Sequence, residues 1–588
     1  MLAGAREARG LWRLDSRRRL RLSAVQALAE LERRKAEFGP ELDDLKFRLL
    51  VATWSGELRG AAAITRFHEQ LCFMQAYPDG PRVEAIVGIS LAFFRLRYLP
   101  ELLRHTRAFI NSGIDGARIH FRFFAPTARW LAAETPATLT LDWDELENVE
   151  RLEVLLPLLA HPAESPGLDE YDFTPREWIA RMKSPGETDA AFLIRRFDQL
   201  PMDAAAREIL WDGLDIPMWL DHGDHTLSKT WAGFPARPKQ VATVRAPLPS
   251  ARPDLRAEFT RRPRAMTRLS EPDGQRLVDL ARAAMVTRER DLDAFAYGDP
   301  RDVRLVSYDD GLQFACIGVI PERRLLLESV YGYLTLKNGV PVGYVLTSAL
   351  YGSSELAYNV FDTFRGVEAA TIYARVLAMT HHVFGTDTFT IYPYQLGDGN
   401  DEAIDSGAWW FYYKLGFRPR PGAIARLAQQ EVERIARNPA HRSSRPTLRR
   451  LATENLYFQP HGDRDDIIGE LSLANVGLAV TAMLARRFGA DRARALEVCA
   501  GEAGTALGSS AWRHWSMNER RAWERWAPVT LLLPGLARWS AAERRALVEI
   551  VRLKGARVES DFVRAFDAHR KLRRALARLA ASADPDRR

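Results

Sequence analysis

Cysteine is almost missing from this chain, with Cys72, Cys316 and Cys499 the only three among 588 residues. They lie far apart in apolar settings and form no Cys-x-x-Cys pair. A disulfide framework and a zinc knuckle are both excluded, and reduced, buried thiols in a cytoplasmic protein are expected. Long apolar runs are also lacking. Stretches such as Val529–Ala537 fall well short of a bilayer crossing, so no membrane insertion is expected. The Arg-rich start, Met1–Arg21, lacks the apolar centre of a secretory signal. There is no internal repeat, no low-complexity tract, no helix-turn-helix signature and no long basic block. The net charge of +7 over this length therefore reads as a diffuse basic surface rather than a nucleic-acid footprint.

What the chain does have is apolar material for more than one core. A hydrophobic fraction of 47% beside 27% charged residues is that of a folded globular protein, and the length implies two to four domains. Residues 1–233 read as a mainly α-helical domain, with helical spacing at Ala24–Phe38 and Leu99–Ile110. Within it, Arg118–Phe124 and Thr138–Asp142 alternate as strands do, and Trp178, Phe192, Leu193, Trp211 and Trp219 are candidate core anchors. Residues 234–263 are Pro-rich and suit a linker or an arm wrapping over a surface. A central α/β domain over 264–437, a linker over 438–465 and an all-helical domain over 466–588 complete the expected multidomain α/β architecture. Glu454–Gln459 matches the recognition core of a viral processing protease, with Pro460 opposing cleavage, and is assigned to the second linker.

Metal-capable side chains are few. Asp221-His222-Gly223-Asp224-His225 reads as a polar turn, because neighbouring loop residues rarely converge on one ion without distant ligands. His381-His382 reads as a pair favoured by a helix C-terminus, and His68-Glu69 lacks the second His of a zinc-protease motif. No metal is expected.

The central region carries a recognisable order of elements. An amphipathic helix over Asp273–Val286 precedes strand-like runs at Val303–Tyr308 and Gln313–Val319. A hairpin follows, Tyr331–Leu336 and Val340–Ser348 around Lys337-Asn338-Gly339, then a strand at Leu356–Phe361. Arg365-Gly366 opens a helix to Phe384, followed by a strand at Thr388–Tyr392 and a helix over Ala403–Leu415. The run Asn359-Val360-Phe361-Asp362-Thr363-Phe364-Arg365-Gly366, together with Tyr412-Tyr413-Lys414-Leu415-Gly416-Phe417, resembles the GNAT acyltransferase superfamily, and Asn400-Asp401-Glu402-Ala403 resembles the motif that precedes its late helix.

This resemblance implies an N-acyltransferase that moves an acyl group from acyl-CoA, acetyl or longer, to a small-molecule amine or amino-acid-like acceptor. It also implies that Arg365, Gly366, Val367, Ala369 and Ala370 offer backbone amides to the donor's phosphates. Tyr358, Asn359 and Val360 would hold the pantetheine arm with help from Asn400, and Tyr412 would protonate the leaving thiolate. Glu355 and Asp362, which flank the strand, are candidate bases. Two departures stand out: Glu368 occupies the family's central loop Gly, and Asp405–Ala408 add about one helical turn. They leave open a non-catalytic scaffold that has lost the cofactor, and a transferase whose donor is a carrier protein or aminoacyl-tRNA.

Overall fold

The computed structural model describes residues 20–135, 138–221, 227–230, 241–248, 251–366 and 368–582. Its centre is an eight-stranded sheet built mainly from one antiparallel meander. The strands are β4 (Ala265–Arg268), β5 (Gly298–Ser307), β6 (Leu312–Val319), β7 (Ser329–Lys337), β8 (Val340–Leu350), β9 (Ser353–Val360), β10 (Thr388–Ile391) and β11 (Leu456–Phe458), in the spatial order β11-β10-β9-β8-β7-β6-β5-β4. All neighbours are antiparallel except β9 and β10, which are parallel and joined through the helix Ala369–Phe384. A second, three-stranded sheet consists of β1 (Ile119–Arg122), β2 (Leu139–Leu141) and β3 (Pro217–Leu220), with β3 in the middle.

Local chemistry accounts for many of the boundaries. The β7–β8 turn places Asn338 at φ 51° and Gly339 at φ 79°, conformations those two residues tolerate best. Ser270 caps the helix Glu271–Val286 by accepting from the Asp273 amide. The Ser-x-x-Glu pairs Ser516/Glu519 and Ser540/Glu543 form reciprocal capping boxes at Met517–Leu532 and Ala541–Gly555.

Alternation along the middle strands sends side chains to two dry faces. Phe314, Cys316, Tyr331, Tyr333 and Val345 pack under the helices Ala369–Phe384 and Ala408–Leu415 and under the C-terminal helices, including Trp523, Trp526, Phe562 and Leu576. Ala315, Ile317, Leu334, Leu336 and Val342 face Glu271–Val286 and the helices of residues 24–104. The β1–β3 sheet has its own core with Trp178, Phe192, Leu193 and Trp211, while Trp219 is half-buried against His120. All three cysteines are free and buried, and burial pushes each thiol up.

Several expectations change. Residues 438–465 are not a linker: Arg445–Leu451 is a helix, Leu451 and Ala452 are fully buried, and Leu456–Phe458 is the edge strand β11. The aromatic and aliphatic side chains of Leu-Tyr-Phe close the sheet, with the Phe458 ring 5.6 Å from Phe417. The Pro-rich segment behaves as an arm where it is described: the Val244 amide donates to Pro78 O (2.9 Å), and Leu255 and Phe259 are buried. The helix expected over Ala403–Leu415 is two helices, Asp401–Ser406 and Ala408–Leu415, broken at Gly407 (φ 69°). The helix expected over Leu99–Ile110 runs instead as Phe94–Arg104 and Thr106–Phe109. No helix among the described residues is long and apolar enough to cross a membrane.

Candidate functional site

The parallel pair β9–β10 is registered only at Ser353–Glu355 and Thr388–Thr390. Beyond that point β10 ends at Ile391, while β9 continues to Val360 paired with β8 alone. Backbone donors and acceptors on such an edge are open to a ligand. Asn359, half-buried here, has a buried Oδ1 with no hydrogen-bond partner among the described residues.

The turn after β9 positions charged groups at the mouth of this opening. Arg365 pairs with Asp362 (2.9 Å) and with Glu402, and Gly366 takes φ 83° with open space where a Cβ would stand. Val367 lies outside the described residues. Glu368 occupies a left-handed conformation (φ 49°) at the N-cap of Ala369–Phe384 and makes no side-chain cap hydrogen bond. Its carboxylate instead turns to the buried ammonium of Lys337, 3.0 Å away. The repulsion that a carboxylate at this loop position would present to an anion is thereby internally neutralised. Ala369 and Ala370 begin the helix, where unpaired amides and the helix dipole favour negative charge.

Behind the edge stands an aromatic wall. Tyr358 and Tyr373 rings are 5.3 Å apart, Tyr412 lies 5.4 Å from Tyr373 and 5.8 Å from Phe417, and the Tyr358 hydroxyl donates to Ala369 O (3.4 Å). Tyr412 is 3% exposed, and burial alone pushes its hydroxyl well above the usual range, so it stays protonated at neutral pH. Asn400 caps Asp401–Ser406, accepting from the Ala403 amide (3.1 Å) and donating to Tyr394 O (3.2 Å). Both ends of its side chain are thus used in shaping the break that Gly407 completes.

Glu355 sits at the last registered pair. Ser348 Oγ donates to its carboxylate at 3.3 Å, while burial, opposed by that bond and reinforced by Glu328, raises it to about 7. Burial also pushes the Tyr392 hydroxyl up, with Glu355 and Glu328 contributing, so the three acidic groups share one neighbourhood. Asp362, by contrast, is exposed and points to a cleft on the N-terminal side.

Elsewhere, Asp221 pairs with Arg118, and His222–His225 lie outside the described residues. His381 and His382 close the helix end on Thr386 O (2.6 Å) and Thr260 O (3.2 Å), and His68 is buried against Thr230 Oγ1 (2.7 Å). One cluster has no signal in the sequence: His120 Nε2 lies 3.1 Å from Asp142 and 3.8 Å from Glu145. Asp142 already accepts from Trp219 Nε1 (2.8 Å) and from the Asp144 amide (3.1 Å), so it serves as a turn cap, and the nearby His120 Nε2 has no hydrogen-bond partner among the described residues. Comparison of the chain with protein-family models, with curated proteins and with solved structures finds no match.

Proposed function

We propose that the domain centred on the eight-stranded sheet is a GNAT-type N-acyltransferase that uses an acyl-CoA donor and an amine acceptor. The observation that carries this reading is the unpaired edge of β9 beyond Glu355, beside a helix N-terminus whose intrusive carboxylate, Glu368, is held off by Lys337. The orphaned Asn359 Oδ1 and the open, left-handed Gly366 suit an extended polar ligand along that edge.

The donor supplies an activated thioester. In this reading the free edge at Tyr358, Asn359 and Val360 aligns it, and the amides of Gly366, Ala369 and Ala370 hold its phosphates, the Arg365 amide being spent on Asp362 O (3.3 Å). Glu355, raised to about 7, takes a proton from the acceptor ammonium, directly or through water, because a base poised near the working pH does this best. The neutral amine attacks the thioester carbonyl, and a C–N bond forms as the C–S bond breaks. Tyr412, kept protonated by burial, donates to the departing sulfur, and the proton shed by the new amide nitrogen restores the tyrosine.

Calorimetric titration of the intact protein with acetyl-CoA and a longer acyl-CoA tests the proposal, with one-to-one binding of at least one expected. Absence of heat from both would sink it. The scaffold reading rests on a different observation, the Tyr358–Tyr373–Tyr412 wall that fills the space behind the edge, and the same titration decides between the two.

A further inference from the structure

Between the N-terminal helices and the end of β9 lies a cleft of about 440 Å³, apart from the groups assigned to acyl transfer except for Asp362 at its rim. Its lining is dominated by charge: Lys35, Lys229, Arg288 and Arg290, with Glu69, Glu289 and Asp362. The acids are committed. Glu69 accepts from Lys229 (2.6 Å) and from the Thr363 hydroxyl, Glu289 accepts from the Asn111 amide, and Asp362 pairs with Arg365 (2.9 Å).

Of the four cations only Lys229 is matched by a carboxylate of the lining, Glu69. Lys35 Nζ donates to Thr363 O (2.6 Å) and lies over the Phe73 ring. Arg288 stacks on Phe361 at 4.1 Å and donates to Ala284 O (2.9 Å), and Arg290 donates to the Tyr344 hydroxyl (2.9 Å). Each partner is a neutral oxygen or a ring. Burial, only partly opposed by Glu69, holds Arg288 down at about 10 and lowers Lys35 as well. Cations withdrawn from water with no carboxylate hydrogen-bonded to them are costly, and an anion entering between them offsets that cost. Two guanidiniums beside an ammonium suit the fork geometry of phosphate and carboxylate oxygens, and the volume is that of a metabolite-sized site.

We propose that this cleft binds a small molecule carrying two or more oxyanion charges, phosphate or carboxylate, held by Lys35, Arg288 and Arg290. The inference does not depend on the acyl-transfer reading.

Intact protein is titrated at low ionic strength with sodium pyrophosphate and, separately, with citrate. At least one should bind with one-to-one stoichiometry and weaken as sodium chloride rises. Arg290→Gln and Lys35→Gln should each weaken it by about tenfold or more, with cooperative thermal melts retained. Pyrophosphate alone binding assigns a phosphate ligand, and citrate alone a carboxylate. Failure of both to bind, or undiminished binding to both variants, overturns the proposal. Hydrogen exchange of the unmutated protein adds an arm that does not depend on the variants folding. Bound ligand should slow exchange at 288–290 and 361–363, whereas protection confined to 365–370 would place the anion in the proposed donor loop and overturn the cleft assignment.

Discussion

Glu355 shows how a single buried carboxyl links the site to stability. Its ordinary value of 4.5 moves to about 7 in the fold, chiefly through burial. The folded state therefore holds this proton more tightly than the unfolded chain, and the associated stability is complete below about pH 4.5 and is lost as pH rises through about 7. Replacing Glu355 by Gln removes the titration but keeps the shape. Between about pH 5 and about pH 8, the unfolding free energy of E355Q should gain on that of the unmutated protein by roughly 2–3 kcal/mol. Urea titrations at a series of pH values read this directly, and parallel curves for the two proteins would refute it. Asp291 and Asp567, also raised to about 7 by burial, remain in both proteins and cancel in the comparison.

At the scale of elements, the sequence announces what its local chemistry determines. Asn338-Gly339 gives the β7–β8 hairpin because those residues accept positive φ, and the apolar stripe of Leu277, Leu280, Ala281 and Ala284 gives the helix beneath it. Capping residues likewise mark the C-terminal helices. Elements made by tertiary pairing were hidden. Strand β4 is exposed at all four positions, with no buried alternation to betray it, and β3 is only Pro-Met-Trp-Leu. Strand β11 was masked by its likeness to a protease site. Of the candidate site, Glu355, Tyr412 and the 359–366 run were legible through motif order. The Lys337–Glu368 pair and the basic cleft were not, since their members come together only in the fold. Leu456, Tyr457 and Phe458 are buried and registered on β10, so no extended segment is free to enter a protease cleft. Substitution Pro460→Gly supplies the small residue that the viral enzyme requires. The folded variant should nevertheless resist cleavage at Gln459, as followed by gel electrophoresis. Rapid cutting under native conditions would show that β11 is not a stable part of the sheet.

Across the whole molecule, the central sheet shares both of its cores with the flanking regions. One face is covered by Glu271–Val286 and helices from the chain's beginning, the other by Ala369–Phe384, Ala408–Leu415 and helices from its end. The C-terminal contact is polar as well as apolar. Arg324 donates to Lys554 O (3.0 Å) and Ala556 O (2.6 Å), and Tyr331, which donates to Asp302 (2.5 Å), accepts from the Ser560 amide (2.9 Å). Trp526 Nε1 reaches Leu326 O at 2.9 Å. A chain ending at Pro460 keeps all eight strands yet strips these partners and exposes Tyr331 and the Phe384 end of its helix to water. Such buried groups are costly to leave unmet. The truncated chain should show no cooperative melt and should elute as aggregate in size-exclusion chromatography. A sharp transition from a monomeric fragment would mean that the last helices form an independent domain.

The covering of the sheet from both ends of the chain also sets a timetable for synthesis. When Phe458 leaves the ribosome every strand has been made, but the helices that close its second face lie within roughly 120 further residues, on the order of 10 s of translation. Through that interval Ala369–Phe384 and Ala408–Leu415 already lie on this face, but the part that Trp526, Phe562 and Phe566 later join stays bare. Chains stalled shortly after β11 should therefore bind a general chaperone more than the full-length chain does, and equal binding of the two would refute this.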